Sequence, residues 1–127
     1  MSGQGGSKQL NMFDALTMDT PCQQVLTVVS RRIGRNQAIS VEEVTLITGI
    51  PGRTVRNIVK HLIEHHMVRI GSALGRPSGY FMIANKEEAE ANEKTLRHLA
   101  LSTLRHAAVI KQLAIKDYLS QIQGELL

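Results

Sequence analysis

Residues 40–66 read Ser-Val-Glu-Glu-Val-Thr-Leu-Ile-Thr-Gly-Ile-Pro-Gly-Arg-Thr-Val-Arg-Asn-Ile-Val-Lys-His-Leu-Ile-Glu-His-His. Ser40 and Glu43 have the spacing of a capping box, in which each side chain satisfies a backbone N–H group at the start of a helix. The stretch therefore predicts a short helix over 41–48. Gly49 is the residue type that ends such a helix.

A second helix is predicted after this glycine, over residues 52–66. At 100° per residue, its apolar side chains fall on one side and its polar side chains on the other. With the first helix included, the residues expected to face the core are Val44, Ile47, Val55, Ile58, Val59 and Leu62. Those expected to face solvent are Arg53, Arg56, Asn57, Lys60 and Glu64. The solvent face thus carries cations and an amide.

The segment before this pair predicts a further helix over residues 21–33. Thr20 and Pro21 suit the cap and the first helical position, and Gly34 is expected to end the helix. Its apolar stripe comprises Cys22, Val25, Leu26, Val29 and Ile33. Residues 1–19, which open with a Gly/Ser/Gln-rich stretch, are expected to form a flexible arm. Within it, a short helical turn is expected to carry Leu10, Phe13, Leu16 and Met18.

Two short strands are predicted after the second helix, over residues 67–70 and 80–84. The nine residues between them, 71–79, are rich in turn-forming types and include Arg76. The sequence therefore predicts a β-hairpin with a long loop. Residues 38–39 are compatible with a further brief strand.

The last third of the chain, residues 86–127, predicts helix again. Asn85 and Glu88 have the spacing of a second capping box, and no Gly or Pro follows until Gly124. Two readings remain open: one helix over 86–123, or two helices with a break near residues 102–103.

This tail is strongly apolar, and its apolar positions spread more widely than the seam of a two-stranded coiled coil. A domain of about 65 residues cannot cover so long a helix, so the apolar face must meet another segment. That segment is a folded-back helix of the same chain, another chain, or both.

Charge is distributed unevenly along the chain. The formal net charge is +4 over 127 residues. Residues 1–85 hold nine basic and five acidic side chains, whereas residues 86–127 hold six of each. The excess of positive charge thus belongs to the first two thirds, which suggests an anionic partner there. Aromatic residues make up 3% of the chain, with no Trp, which argues against a binder that stacks single-stranded bases.

Other classes of protein are disfavoured by the sequence. No apolar run is long enough to cross a bilayer, and the single cysteine excludes a cysteine-based zinc site. His61, His65 and Glu64 are too few to predict a metal site, and we expect no metal and no cofactor. No nucleophile elbow or phosphate loop is present, so we expect no enzymatic activity. Cys22 is expected to pack as a small apolar residue.

The order helix, short helix, glycine turn, helix, strand, loop, strand resembles the winged helix-turn-helix family of DNA-binding proteins. The residues that carry the resemblance are 41–62, with the strands around 67–70 and 79–81 as the wing. It covers residues 20–85 and implies a mainly α fold with a small β-hairpin (α+β), followed by residues 86–127 as a dimerisation region. It is typical of bacterial, archaeal or phage regulators. Because many regulators of this family pair through C-terminal helices and bind two-fold symmetric sites, the resemblance implies a homodimer, with an intrachain helical hairpin as the alternative. The residues expected at the dimer interface are Leu96, Leu99, Leu104, Ile110, Leu113 and Leu119.

The resemblance implies that the second helix enters the major groove of duplex DNA. Arg can pair bidentately with guanine and Asn with adenine, and Lys60 is placed for phosphate. Arg76 on the wing and Arg35, with Arg31 and Arg32, would extend the footprint. The residues expected to bind DNA are Arg53, Thr54, Arg56, Asn57, Lys60, Arg76 and Arg35.

The expected function is therefore that of a sequence-specific, dimeric transcription regulator in the cytoplasm, associated with the nucleoid. A regulatory protein partner is possible, and no membrane association is expected. Two alternatives remain open: a winged-helix protein-interaction module within a larger assembly, and a replication or partition accessory protein of a mobile element. The cationic face could also be only the solvated side of an amphipathic helix.

Overall fold

The computed structural model describes residues 19–125. Within them the chain is mainly helical with one small antiparallel sheet, which agrees with the expected mainly α architecture with a hairpin. The elements are α1 (Thr20–Ser30), α2 (Val41–Thr48), α3 (Gly52–His66), β1 (Ile70–Ala73), β2 (Gly79–Met82), α4 (Lys86–Ile110) and α5 (Ile115–Ile122), with 3-10 turns at Arg35–Gln37 and Gln123–Glu125. The expected arm lies outside the described residues except for Asp19, as does the expected turn with Leu10, Phe13, Leu16 and Met18.

The chain divides into two compact units between Ala89 and Glu90. We call residues 19–89 the N-terminal unit and residues 90–125 the C-terminal unit. None of the helices within residues 19–125 is both long enough and apolar enough to span a membrane.

Helix α1 begins one residue earlier than predicted. Asp19 is its cap, and the Oδ1 atom of Asp19 accepts a hydrogen bond from the backbone N–H of Cys22 at 3.1 Å. Thr20 is therefore the first helical residue and not the cap. The reason is that a carboxylate at the cap position accepts from the N–H three residues on, which aspartate does well.

Helix α1 also ends earlier than predicted, at Ser30 rather than at residue 33. Ile33 leaves the helix and forms a parallel bridge with Met82. The flanking backbone bonds run from the N–H of Met82 to the carbonyl of Arg32 and from the N–H of Gly34 to the carbonyl of Met82. Ile33 fits the helical spacing but is exposed, so its place in the apolar stripe was predicted wrongly.

Helix α2 has the predicted bounds and the predicted capping box. The hydroxyl of Ser40 accepts from the N–H of Glu43 at 3.1 Å, and the N–H of Ser40 donates to Oε1 of Glu43 at 3.2 Å. Gly49 ends the helix in the left-handed conformation, with φ 78°. Ile47 is exposed, contrary to the prediction. The inward position is taken instead by Ile50 in the following turn, which is buried.

Helix α3 runs over the predicted residues, and its predicted core face is confirmed. The four residues of this face enter the principal core together with residues of α1, α2 and β1. That core comprises Cys22, Val25, Val29, Ile39, Val44, Ile50, Val55, Ile58, Val59, Leu62, Val68 and Ile70. Cys22 is buried in it as predicted, and burial beside Asp19 raises the pKa of its thiol to about 11.

The hairpin is present, but its first strand begins later and its loop is shorter than predicted. Strand β1 starts at Ile70 because Met67 ends α3 in the left-handed conformation, with φ 57°. The strands pair in antiparallel register from Ile70 opposite Met82 to Ala73 opposite Gly79. The loop therefore spans only residues 74–78.

Strand β2 lies against the main chain at Ile39. The N–H of Ile39 donates to the carbonyl of Tyr80, and the N–H of Tyr80 donates to the carbonyl of Ile39, each at 2.8 Å. The brief strand expected at 38–39 is thus an isolated bridge. Gly79 has φ 120°, and a Cβ atom there would overlap the Ile39 carbonyl. This position therefore requires glycine.

The predicted tail is two helices, but the break lies at residues 111–114 and not near residues 102–103. Gln112 adopts the left-handed conformation, with φ 59°. The N–H of Leu113 donates to the carbonyl of Ala108, and the N–H of Gln112 donates to that of Val109, each at 2.9 Å. These two bonds form a Schellman cap. The chain thus ends α4 without glycine or proline.

Candidate nucleic-acid interface

Helix α3 separates its two faces sharply. Val55, Ile58, Val59 and Leu62 are buried, because the helix packs on α1 and α2 through this side. The opposite side is solvent-exposed over the first two turns. Its exposed residues are Arg53, Thr54, Arg56, Asn57 and Lys60, all of which the sequence predicted as DNA-binding.

The positive charge of Arg56 acts on Tyr80 in strand β2. The half-buried phenol of Tyr80 has its pKa raised by burial, and the positive charge of Arg56 opposes that rise. The guanidinium is thus within electrostatic range of the strand that leads out of the hairpin loop. Sequence reasoning did not assign Tyr80 to the site. The available signal was its position directly after the glycine that closes the loop.

The hairpin loop presents Arg76 to solvent, as the sequence predicted. All five of its residues, 74–78, are exposed. Leu74 is the most exposed large apolar side chain among the described residues, at 91%. A basic and an apolar side chain therefore stand together at the tip of the N-terminal unit.

Arg35 is held against the hairpin loop, which the sequence could not reveal. Its Nη1 atom donates to the carbonyl of Pro77 at 2.6 Å, and its backbone N–H donates to Oε2 of Glu88 at 2.8 Å. Arg35 therefore has intramolecular partners at both its main chain and its side chain. Arg31 and Arg32, the other members of the expected footprint, follow α1; Arg31 is exposed and Arg32 is half-buried.

The far end of α3 carries histidines rather than permanent cations. The ring of His61 lies 4.8 Å from that of His65 and 5.2 Å from that of His66, between centroids. Over residues 19–125, no set of three His, Cys, Asp or Glu side chains is arranged to hold a metal ion. The permanent positive charge of the exposed face thus lies toward the start of the helix.

The C-terminal unit divides the six expected interface residues into two groups. Leu96, Leu99 and Ile110 are 64%, 63% and 81% exposed, and we call these three residues the exposed stripe of α4. Leu104, Leu113 and Leu119 are half-buried. The half-buried set also includes Leu101, Ile115, Tyr118 and Ile122. Helix α4 therefore carries one apolar surface that is partly covered and one that is open to solvent.

Comparison of the chain with protein-family models, with curated proteins and with solved structures gives no significant match. The candidate interface therefore stands on the residues and geometry of this chain.

Proposed function

We propose that this chain is a winged helix-turn-helix protein that binds double-stranded DNA in a sequence-specific manner and acts as a dimeric transcription regulator. The observation that carries the proposal is the solvent-exposed face of α3, which bears two arginines, a threonine, an asparagine and a lysine opposite four buried apolar residues. Helix α3 is the recognition helix in this proposal, and the hairpin loop is the tip of the wing.

The first turns of α3 carry side chains suited to reading bases. Arg53 and Arg56 can each donate a bidentate pair of hydrogen bonds to guanine, and Asn57 can do the same with adenine. A good bidentate pair contributes about 1–3 kcal/mol of discrimination. Lys60, one turn later, is placed for a phosphate, which adds affinity without sequence preference.

The wing would contact the backbone next to the groove that α3 enters. Arg76 lies on the exposed loop, and the positive charge of Arg56 on α3 acts on Tyr80 in the strand that follows that loop. A phosphate contact from Arg76 would fix the orientation of the unit on the duplex. In this proposal α3 contacts the bases, and the hairpin contacts the DNA backbone.

The test of DNA binding starts by selecting duplexes from a random pool with the unmodified protein. Binding of the selected duplex is then measured by fluorescence anisotropy for the variant Arg53→Ala/Arg56→Ala. We expect the affinity to fall by at least about thirtyfold, since two bidentate pairs are removed. The matched control, Arg105→Ala/Lys111→Ala, removes the same charge from the C-terminal unit and should bind almost normally. Equal affinities of the two double variants would contradict the proposal.

The dimer is proposed to form through the exposed stripe of α4. Sedimentation of the full chain over a range of concentrations should show a monomer–dimer equilibrium, and Leu99→Glu should shift it to monomer. Gln121→Glu adds the same charge at an exposed position of α5 outside the stripe and should leave the dimer intact. A wild-type monomer at every concentration would contradict this part of the proposal.

A second candidate function is a protein-interaction module within a larger assembly. It is favoured by Leu46 and Ile47, which are 84% and 60% exposed on α2. Salt dependence discriminates the two functions. DNA affinity should fall steeply with salt because counterions are released, whereas affinity through an apolar surface should change little.

The biological role proposed for the DNA-binding protein is transcription control in the cytoplasm, at the nucleoid. A replication or partition role on a mobile element would use the same DNA chemistry, and a regulatory protein partner would act in addition to it. Mapping the sites bound across a genome separates these roles. Sites at promoters would support transcription control, and a single cluster at an origin or partition locus would support the alternative.

A further inference from the structure

Arg35 connects three separate segments of the N-terminal unit. Its main chain lies in the 3-10 turn Arg35–Gln37. The backbone N–H of Arg35 donates to the carboxylate of Glu88 in the first turn of α4, and its guanidinium donates to the carbonyl of Pro77 in the hairpin loop. The same residue therefore contacts the beginning of α4 and the tip of the hairpin.

The anchor at Glu88 is itself well fixed. Its carboxylate also accepts from the N–H of Ala84 at 2.9 Å, and its own N–H donates to the side chain of Asn85 at 2.9 Å. The hydrogen bonds of the helix start thus hold the carboxylate that receives Arg35. Gly34, in the left-handed region with φ 93°, turns the chain directly before Arg35.

The hairpin loop receives this hydrogen bond at the carbonyl of Pro77. Its side chains are exposed, and an unsupported surface loop samples many backbone conformations. The guanidinium reaches the loop closely, because a Cβ atom built on Gly75 would lie 3.1 Å from Nη2 of Arg35. Pro77, whose carbonyl it holds, directly follows Arg76.

We infer that Arg35 is a positioning residue for the wing, which holds the hairpin loop so that Arg76 is presented to the DNA backbone. This inference rests on the proposed function. It gives Arg35, which the sequence predicts to bind DNA, a role that acts through Arg76, since its Nη1 atom donates to the carbonyl of Pro77. Pre-ordering the loop lowers the entropic cost of binding, which is how a residue without a DNA contact raises affinity.

The first experiment measures the loop without DNA. The NMR order parameters of the backbone N–H groups of Gly75, Arg76 and Ser78 in the full chain should fall in Arg35→Ala and, to a smaller extent, in Glu88→Ala. Arg31→Ala, which removes an exposed arginine after α1, should leave the loop unchanged. An unchanged loop in Arg35→Ala overturns the inference, whatever the protein binds.

The second experiment is a double-mutant cycle with the selected DNA duplex. Arg35→Ala should weaken binding roughly three- to tenfold in the wild-type background, and should have little further effect when Arg76 is already alanine. Additive losses would show a direct and independent phosphate contact, and would overturn the inference. Circular dichroism verifies that each variant is folded.

The two experiments separate the two ideas. A loop that loosens in Arg35→Ala, in a protein that selects no duplex, overturns the proposed function while supporting the role of Arg35 as a brace of the hairpin. A protein that binds DNA through α3 with an unaffected loop in Arg35→Ala supports the proposed function and overturns the inference.

Discussion

The two units differ in how many of their apolar side chains they bury. In the N-terminal unit, three helices and the hairpin close two clusters of buried side chains, with Leu62 and Phe81 almost completely buried. In the described part of the C-terminal unit, Ala108 is the only buried residue, and the stripe on α4 is open. The first unit therefore closes a core of its own and leaves separate apolar side chains such as Leu46 and Leu74 exposed, whereas the described part of the second unit buries almost none of its apolar surface.

The sharpest test of this difference uses two glycines. Gly79→Ala should destabilise the N-terminal unit by about 4 kcal/mol, because it combines an unfavourable positive φ with overlap against the Ile39 carbonyl. Gly124→Ala meets nothing within 4 Å and should be nearly neutral. Urea denaturation followed by circular dichroism measures both. Equal stabilities of the two variants would contradict the expected difference between the two positions.

Truncation of a leucine in each unit gives the next largest effect. Leu62→Ala empties a fully buried site and should lower the free energy of unfolding by about 3 kcal/mol. Leu99→Ala lies on the exposed stripe and should change it by less than about 0.5 kcal/mol in a dilute monomer. A cost for Leu99→Ala that grows with protein concentration would reveal the dimer, because association adds stability by mass action.

Substitutions at the helix caps should have smaller effects on stability, of opposite sign in the two units. Ser40→Ala removes the capping box of α2 and should cost about 1 kcal/mol. Helix α5 has Ala114 at its cap position with no side-chain hydrogen bond, so Ala114→Ser should stabilise the C-terminal unit by about 0.5–1 kcal/mol. Thermal unfolding monitors both variants. A destabilising effect of Ala114→Ser would contradict the position of Ala114 as the cap of α5.

The smallest effect is a pH dependence at Asp19. The hydrogen bond from Cys22 holds the pKa of this carboxyl below its ordinary value of 3.8. A lowered pKa in the folded state stabilises the fold above the unfolded pKa, and this contribution is lost as the pH falls through the folded pKa. Asp19→Asn keeps an acceptor without the titration, so its stability should vary less below about pH 4 than that of the wild type. Parallel acid titrations of the two proteins would test this.

Local signals in the sequence predicted helices α2 and α3 well. The capping box of Ser40 and Glu43, the helix end at Gly49 and the buried face of α3 are each determined by residues within a few helical turns of one another. Such short-range patterns can be recognised from the sequence alone. The exposure of Arg53, Arg56 and Lys60 follows from the same periodicity. Whether this face binds DNA stays a prediction.

Two features that the sequence did not reveal depend on contacts between distant segments, and a third is a local change of backbone conformation. Ile33 has helical spacing but pairs with Met82, forty-nine residues later, and no local pattern reveals that partner. The partners of Arg35, Pro77 and Glu88, are brought beside it by the fold, and whether Arg35 binds DNA stays a prediction. The break after α4 escaped prediction because Gln112, a residue with no special tendency to break helices, adopts the left-handed conformation.

The buried thiol of Cys22 can be used to measure how often the N-terminal unit opens. The thiolate is the reactive form, and a pKa raised to about 11 leaves it scarce at neutral pH. We expect disulfide reagents to leave Cys22 unmodified in the native protein and to react with it only when α1 opens. The rate of modification would then measure the rate at which the N-terminal unit opens. A cysteine introduced on the exposed stripe of α4 could be labelled alone, without replacing the natural one.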